Sequence, residues 1–199
     1  MRSNLVVPSL ALIAGLAAAC GPSAESDPPA PAPSSTAATS STATAESNHN
    51  RSDVEFAQQM VPHHEQAVVA ADLALERSPS PEIQALAQRI KGAQQPELDQ
   101  LLALLRLWGE SVTPGGGASG DHDHSRLMSE ETFQQLQEAT AAEFDELWLR
   151  SMIEHHQGAV ELAETQLRAG ADSLASLYAR TIVDRQRPEV QEMTALLER

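Results

Sequence analysis

The stretch DVEFAQQMVPHHEQA, residues 53–67, returns 92 residues later as DELWLRSMIEHHQGA, residues 145–159. In both copies a Met stands three and four positions before two adjacent His residues. Without any gap, residues 51–107 and 143–199 share 16 identities, where chance would give about 3 or 4 in a comparison of this kind. The chain therefore contains a duplicated unit of roughly this length.

Each unit has the pattern of a helical hairpin, because small and apolar residues recur at helical spacing throughout it. In the first unit, Ser52-Asp53-Val54-Glu55 has the form of a capping box, which predicts a helix from Ser52 to about Ser78. A second helix is expected from Pro81 to Trp108.

The second unit repeats this arrangement after a short helix that follows Ser129. A capping box at Thr140 to Glu143 begins a helix that should end at Ala169, before Gly170. A last helix is expected from about Asp172 to Glu198. Two such hairpins predict an all-α fold, a four-helix bundle.

The N-terminus predicts export. Arg2 and the apolar run of residues 5–19 have the features of a signal peptide, residues 1–19, since the run is shorter than the ~20 residues of a membrane span. Small residues lead up to Cys20, the only cysteine, in an order that resembles a bacterial lipoprotein signal. We expect Cys20 to carry a lipid that anchors the protein to a membrane of the cell envelope, outside the cytoplasm. Ordinary cleavage after Ala19 is the alternative.

Composition divides the remainder of the chain. Residues 20–51 are rich in Ser, Ala, Pro and Thr and predict a disordered tether. The bundle domain is expected over residues 52–199, with repeat one at 52–109, a loop at 110–128 and repeat two at 129–199. In that loop, Asp121 to His124 is interpreted as a solvated acidic segment. The formal charge of −15 argues against binding of nucleic acid.

The Met-x-x-His-His spacing predicts metal ligands. Each helical residue turns by about 100°, so positions i+3 and i+4 lie on either side of the line through residue i. Thioether sulfur suits Cu(I), and imidazole suits several transition metals. A copper ion is therefore the expected cofactor, with no organic cofactor and no catalytic residue. The candidate ligands are Met60, His63, His64, Met152, His155 and His156. Whether they form one shared site or two stays open at this stage.

The partner helices carry residues expected to support these ligands. Glu97 and Glu189 should orient imidazole N–H groups, and Met193 belongs to the same supporting set. A ferritin-like di-iron site requires Glu-x-x-His pairs. Here Met occupies the Glu position of that motif, which favours copper over iron.

These motifs together resemble the signature of the domain-of-unknown-function 305 family. The resemblance rests on Asp53-x-x-Phe56-x-x-x-Met60-x-x-His63-His64, on its copy around Met152, and on Gln94-x-x-Glu97 with Gln186-x-x-Glu189. It covers residues 51–199 and implies a ferritin-like fold and, as in some members, copper binding. Leu101 departs from the pattern, because it stands where the second unit has Met193.

Two other functions fit the same residues. The His residues can be structural members of a core that satisfy buried carboxylates, which would leave a tethered helical module for protein interactions. A redox metalloenzyme built on the same cluster would need an open coordination position. Metal binding is favoured because the pattern recurs with identical spacing in diverged halves.

Overall fold

The structure, a computed structural model, describes residues 48–112 and 126–199 and contains only helices and connecting segments over those ranges. The helices are α1 Arg51–Arg77, α2 Pro81–Trp108, α3 Glu130–Glu138, α4 Ala141–Ala169 and α5 Ser173–Leu197. The prediction of an all-α bundle is confirmed. The signal peptide, Cys20, the acidic segment 121–124 and most of the proposed tether lie outside the described residues.

The helix ends follow local capping chemistry. Ser80 caps α2 with Pro81 in its first turn, and the predicted capping box of Thr140 and Glu143 begins α4. The capping box predicted at Ser52 is wrong. Asn50 is the N-cap of α1, because its side chain accepts a hydrogen bond from the Asp53 backbone N–H. The box begins two residues earlier than predicted, since Asn caps a helix as well as Ser does.

The four long helices form two antiparallel hairpins that pack through one helix of each. Hairpin one is α1 with α2, hairpin two is α4 with α5, and α1 packs against α4. The indole N–H of Trp148 donates to the Ala70 carbonyl across that contact, at 2.8 Å. The short helix α3 lies against α1 and α4. In the described part of the chain no helix has the length and apolar character needed to cross a bilayer.

Two hydrophobic clusters make up the core. The Met60 cluster contains Phe56, Met60, Leu101, Ala159 and Ile182 among its buried members. The Met152 cluster contains Ala67, Phe144, Trp148, Met152 and Met193 among its own. The four helix His residues are all buried, and each pair lies between members of the two clusters along its helix: His63 and His64 between Met60 and Ala67, and His155 and His156 between Met152 and Ala159. A layer of polar side chains therefore lies between two apolar regions of one bundle.

Asp53 joins the beginning of α1 to the connection between α4 and α5. Its fully buried carboxylate accepts hydrogen bonds from the backbone N–H groups of Asn50 at 2.7 Å, Ala171 at 3.0 Å and Asp172 at 3.2 Å, and from the Gln166 side chain. Burial by itself raises the pKa of Asp53, but these hydrogen bonds outweigh it and hold the pKa below its ordinary value. The ionised carboxylate thus holds the two hairpins in register.

Replacing Asp53 should destabilise the bundle. Asp53→Ala leaves several buried donors without an acceptor, so we expect the free energy of unfolding to fall by about 3 kcal/mol. Urea unfolding followed by circular dichroism measures this change. Asp145→Ala is the matched control, because Asp145 is the equivalent residue of repeat two and its Oδ1 has no hydrogen-bond partner among the described residues. Equal losses in the two variants would contradict the assignment.

Candidate metal centre

The structure brings the predicted ligands of both repeats into the centre of the bundle. All of them are fully buried: Met60, His63, His64, Met152, His155 and His156. None points to bulk solvent. Their helices α1 and α4 are the two that pack between the hairpins, which brings His63 of one repeat against His155 of the other.

The closest contact between the repeats is made by two imidazoles. The ring centroids of His63 and His155 are 3.7 Å apart, and the rings are tilted by 42°. These residues are equivalent in the repeat, so their contact lies on the approximate twofold axis that relates the two hairpins. His156 is close to the same pair, with its ring centroid 6.2 Å from that of His155.

The other imidazole of each repeat meets a carboxylate. His64 Nε2 lies 3.0 Å from Glu97 Oε2, and His156 Nε2 lies 3.0 Å from Glu189 Oε2. A neutral imidazole that donates its Nε2–H to a carboxylate keeps its lone pair on Nδ1. The Nδ1 atoms of His64 and His156 are buried and have no hydrogen-bond partner in the described segments. Each is therefore suited to bind a metal ion.

His155 differs from these two because neither of its ring nitrogens has a hydrogen-bond partner within the described residues. Burial lowers the pKa of His155 well below its ordinary value, and the neighbouring imidazoles of His63, His156 and His64 lower it further. The ring is consequently neutral at physiological pH. A neutral imidazole has a lone pair that it can donate to a metal ion.

One ion pair distinguishes the two carboxylates. Arg185 of α5 places Nη1 at 3.3 Å from Glu97 Oε1 on α2. In repeat one the position equivalent to Arg185 is Ala93, which has no charged group to pair with Glu189. Sequence reasoning missed Arg185. The sequence did offer a signal. Arg185 directly precedes the Gln-x-x-Glu motif of α5, whereas its counterpart on α2, Ala93, is small and apolar.

Two buried amides were also missed as site residues. Gln94 and Gln186 lie one turn before Glu97 and Glu189 and are almost completely buried. Neither the oxygen nor the nitrogen of either amide has a hydrogen-bond partner in the described part of the chain. The Gln-x-x-Glu spacing shared by both repeats was the available signal. These amides extend the polar layer beyond the imidazoles.

The donor set limits which metals fit. Within residues 48–112 and 126–199, no three His, Cys, Asp or Glu side chains come together as a metal-binding group. Next to the imidazoles along the helices lie the buried thioethers of Met60 and Met152, one in each of the two hydrophobic clusters. That combination fits a soft ion such as Cu(I), and it does not fit the carboxylate-rich di-iron sites of ferritin-like proteins.

Fold and site together define a class: duplicated all-α bundles with paired imidazoles at the contact between the repeats and methionines one turn away. The chain belongs to the family described as domain of unknown function, DUF305, whose model matches residues 53–197. No match was found among curated proteins.

Solved structures share the fold. A DUF305 fragment from Deinococcus radiodurans is 32% identical with a TM-score of 0.67, and the match covers 75% of this chain and 97% of that one. CopM in its Cu(I)-bound form is 26% identical with a TM-score of 0.61, and CopM in its Cu(II)-bound form is 25% identical with a TM-score of 0.63. Each CopM match covers 73% of this chain and 95% of CopM.

The lowered pKa of His155 predicts a pH dependence of stability. The unfolded chain binds a proton at this ring more readily than the folded protein does, so the free energy of unfolding should fall as the pH drops below about 6.5. One such ring contributes a slope of up to about 1.4 kcal/mol per pH unit. Urea unfolding of metal-free protein between about pH 7.5 and 5 measures it. His155→Gln should reduce the slope, and identical slopes in both proteins would refute the prediction.

Proposed function

We propose that this protein binds copper outside the cytoplasm and either sequesters the ion or passes it on. The ligands would be Met60, His63, His64, Met152, His155 and His156. The observation that carries the proposal is the buried contact of His63 with His155, 3.7 Å between ring centroids, with a Met one turn before each ring. In this proposal copper is the cargo of a binding protein and undergoes no catalysed reaction there.

The chemistry of the donors supports copper over harder metals. Thioether sulfur binds Cu(I) well and binds Mg²⁺ or Ca²⁺ poorly, because those ions require oxygen ligands. Zinc sites are usually built from Cys, His and carboxylates, and none of these ligands is a thioether. Buried imidazoles next to buried thioethers therefore favour a soft monovalent ion.

Glu97 and Glu189 would act on the ligands without touching the ion. Each lies at hydrogen-bond distance from the Nε2 atom of an imidazole, His64 or His156. Such a carboxylate fixes the tautomer and the orientation of the ring, and it raises the basicity of the nitrogen that faces the metal. The buried Nδ1 atoms of these two rings would then be available to copper.

The comparisons agree with this proposal. The match to CopM covers 95% of CopM's own length, and CopM has been solved with Cu(I) and with Cu(II) bound. For location, the support comes from the sequence, since residues 1–19 have the features of a signal peptide and Cys20 follows a small-residue cleavage site. A lipid on Cys20 would place the bundle at the membrane surface, on a tether.

Removing the four helix imidazoles should abolish tight copper binding. We expect the combined variant His63→Ala, His64→Ala, His155→Ala and His156→Ala to bind Cu(I) at least about a hundredfold more weakly than the wild type. Competition with a chromophoric Cu(I) chelator under reducing conditions measures the affinity.

A matched control removes two other imidazoles from the same chain. His122→Ala with His124→Ala should leave Cu(I) affinity unchanged, and circular dichroism should show that both variants are helical. If the four-His variant folds and binds Cu(I) as tightly as the wild type, these residues are not the site. If the wild type binds no copper, the alternative of a tethered interaction module is favoured.

Lipid anchoring at Cys20 predicts where the protein is found. Cys20→Ser removes the only thiol that can be lipidated, so the variant should move from the detergent-soluble membrane fraction to the aqueous extracytoplasmic fraction or remain unprocessed. Phase partitioning and the mass of the mature protein measure this. A wild-type protein that lacks a lipid mass and begins at Cys20 would indicate ordinary signal-peptidase cleavage after Ala19.

A further inference from the structure

The two hairpins are not equivalent at the level of the methionines. Each repeat has one Met on its first helix, Met60 on α1 and Met152 on α4. On the second helix of each hairpin the repeats differ, because α5 has Met193 where α2 has Leu101. Both of these residues are buried. Hairpin two therefore contains two buried thioethers and hairpin one contains a single one.

Register places Met193 beside Met152. His156 meets Glu189 across hairpin two, at 3.0 Å. Met152 lies four residues before His156 on α4, and Met193 lies four residues after Glu189 on the antiparallel helix α5. Because α4 and α5 are antiparallel, one turn back from His156 and one turn forward from Glu189 reach the same level of the bundle. Both belong to the Met152 cluster, which agrees with that placement.

The same argument for hairpin one gives a different result. His64 meets Glu97 at 3.0 Å. Met60 and Leu101 are each one turn away in opposite sequence directions, and both belong to the Met60 cluster. At this level a soft ion would find one sulfur and an aliphatic side chain. Leu has no donor atom, so the coordination available to a soft ion is poorer by one ligand.

Charge distinguishes the hairpins in the same direction. Arg185 pairs with Glu97, so its guanidinium compensates the carboxylate of hairpin one. At the position equivalent to Arg185, repeat one has Ala93, so Glu189 of hairpin two has no arginine partner there, and its carboxylate contacts the ring of His156. A cation entering hairpin two therefore approaches a carboxylate without a guanidinium at the matching place, which is favourable in a low-dielectric interior. Sulfur content and charge both favour hairpin two.

We propose that Met193 is a metal ligand and that hairpin two is the tighter of two unequal sites for a soft monovalent ion. The ion would be held by the sulfurs of Met152 and Met193 and by a nitrogen of His155, whose ring nitrogens have no hydrogen-bond partner in the described segments. Hairpin one, with Met60 and Leu101, would be a weaker site. This inference rests on the proposed function, because it assumes that the helix imidazoles bind the ion.

Silver(I) tests the asymmetry, because it is a soft monovalent ion without redox chemistry at this site. Isothermal titration of the mature protein with Ag(I) should show one tight binding event. Met193→Leu should weaken that event by about tenfold or more. Met128→Leu is the matched control, since it removes a buried thioether from the segment before α3 by the same conservative change. It should leave the affinity unchanged.

The reciprocal change tests the weaker hairpin. Leu101→Met adds the missing thioether next to Met60, so a second Ag(I) should bind about tenfold more tightly than in the wild type. Methyl-labelled methionine provides an independent readout by NMR. With less than one equivalent of Ag(I), the methyl signals of Met152 and Met193 should move before that of Met60. Leu and Met have similar volumes, so these variants should fold.

The outcomes separate this inference from the function on which it rests. An unchanged Ag(I) affinity in Met193→Leu, or a Met60 methyl signal that moves first, overturns the asymmetry. If Met193→Leu does not fold, the response of Leu101→Met and the wild-type NMR titration decide. If the four-His variant binds Ag(I) as the wild type does, the proposed imidazole site fails as well. Loss of binding in the four-His variant together with no effect of Met193→Leu rejects only the inequality.

Discussion

The contact between the His63 and His155 rings is the constraint around which the rest of the bundle is arranged. Two imidazoles can lie 3.7 Å apart in a dry interior only if they are not both positively charged, because two adjacent positive charges without solvent would repel strongly. Burial and the neighbouring rings lower the pKa of His155 and keep it neutral. The helices α1 and α4 can consequently pack closely at this point, and α2 and α5 pack against them to complete the two hairpins.

A polar layer in a hydrophobic core has an energetic cost. Each buried polar atom without a partner is unfavourable by about 1–3 kcal/mol relative to a paired one. In the described residues this layer includes His155, parts of His64 and His156, and the amides of Gln94 and Gln186. Apolar residues of similar size would stabilise the bundle more. The layer is understandable if its lone pairs and amide groups serve a ligand.

Duplication gave two copies of this arrangement, and later substitutions made them different. The contacts of His64 with Glu97 and of His156 with Glu189 have the same distance in both hairpins. Around them the repeats differ, because Leu101 corresponds to Met193 and Arg185 corresponds to Ala93. Asp53 likewise binds the α4–α5 connection, whereas the Oδ1 atom of its counterpart Asp145 has no partner in the described segments. The imidazole layer is thus the symmetric part of the molecule, and the differences lie next to it.

The sequence alone determined the number of helices over the described residues and their bounds to within a few residues, because the repeat, the capping residues and the spacing of apolar positions are local signals. It identified Met60, His63, His64 and their copies as candidate ligands, since residues three and four apart share a helix face. It also favoured Glu97 and Glu189 as partners of imidazoles. It placed the N-cap of α1 incorrectly, because Asn and Ser are nearly equivalent at an N-cap. The contacts of Asp53 with the turn after α4 are tertiary and favour the helix start at Asn50.

The tertiary structure decided which side chains meet. That His63 contacts His155 while His64 contacts Glu97 depends on how α1 crosses α4, and helix crossing is set by packing between residues far apart in sequence. The ion pair of Arg185 with Glu97 and the burial of Gln94 and Gln186 arise in the same way. Local sequence fixes the face on which a residue lies, but the partner on that face is chosen only when the hairpins come together.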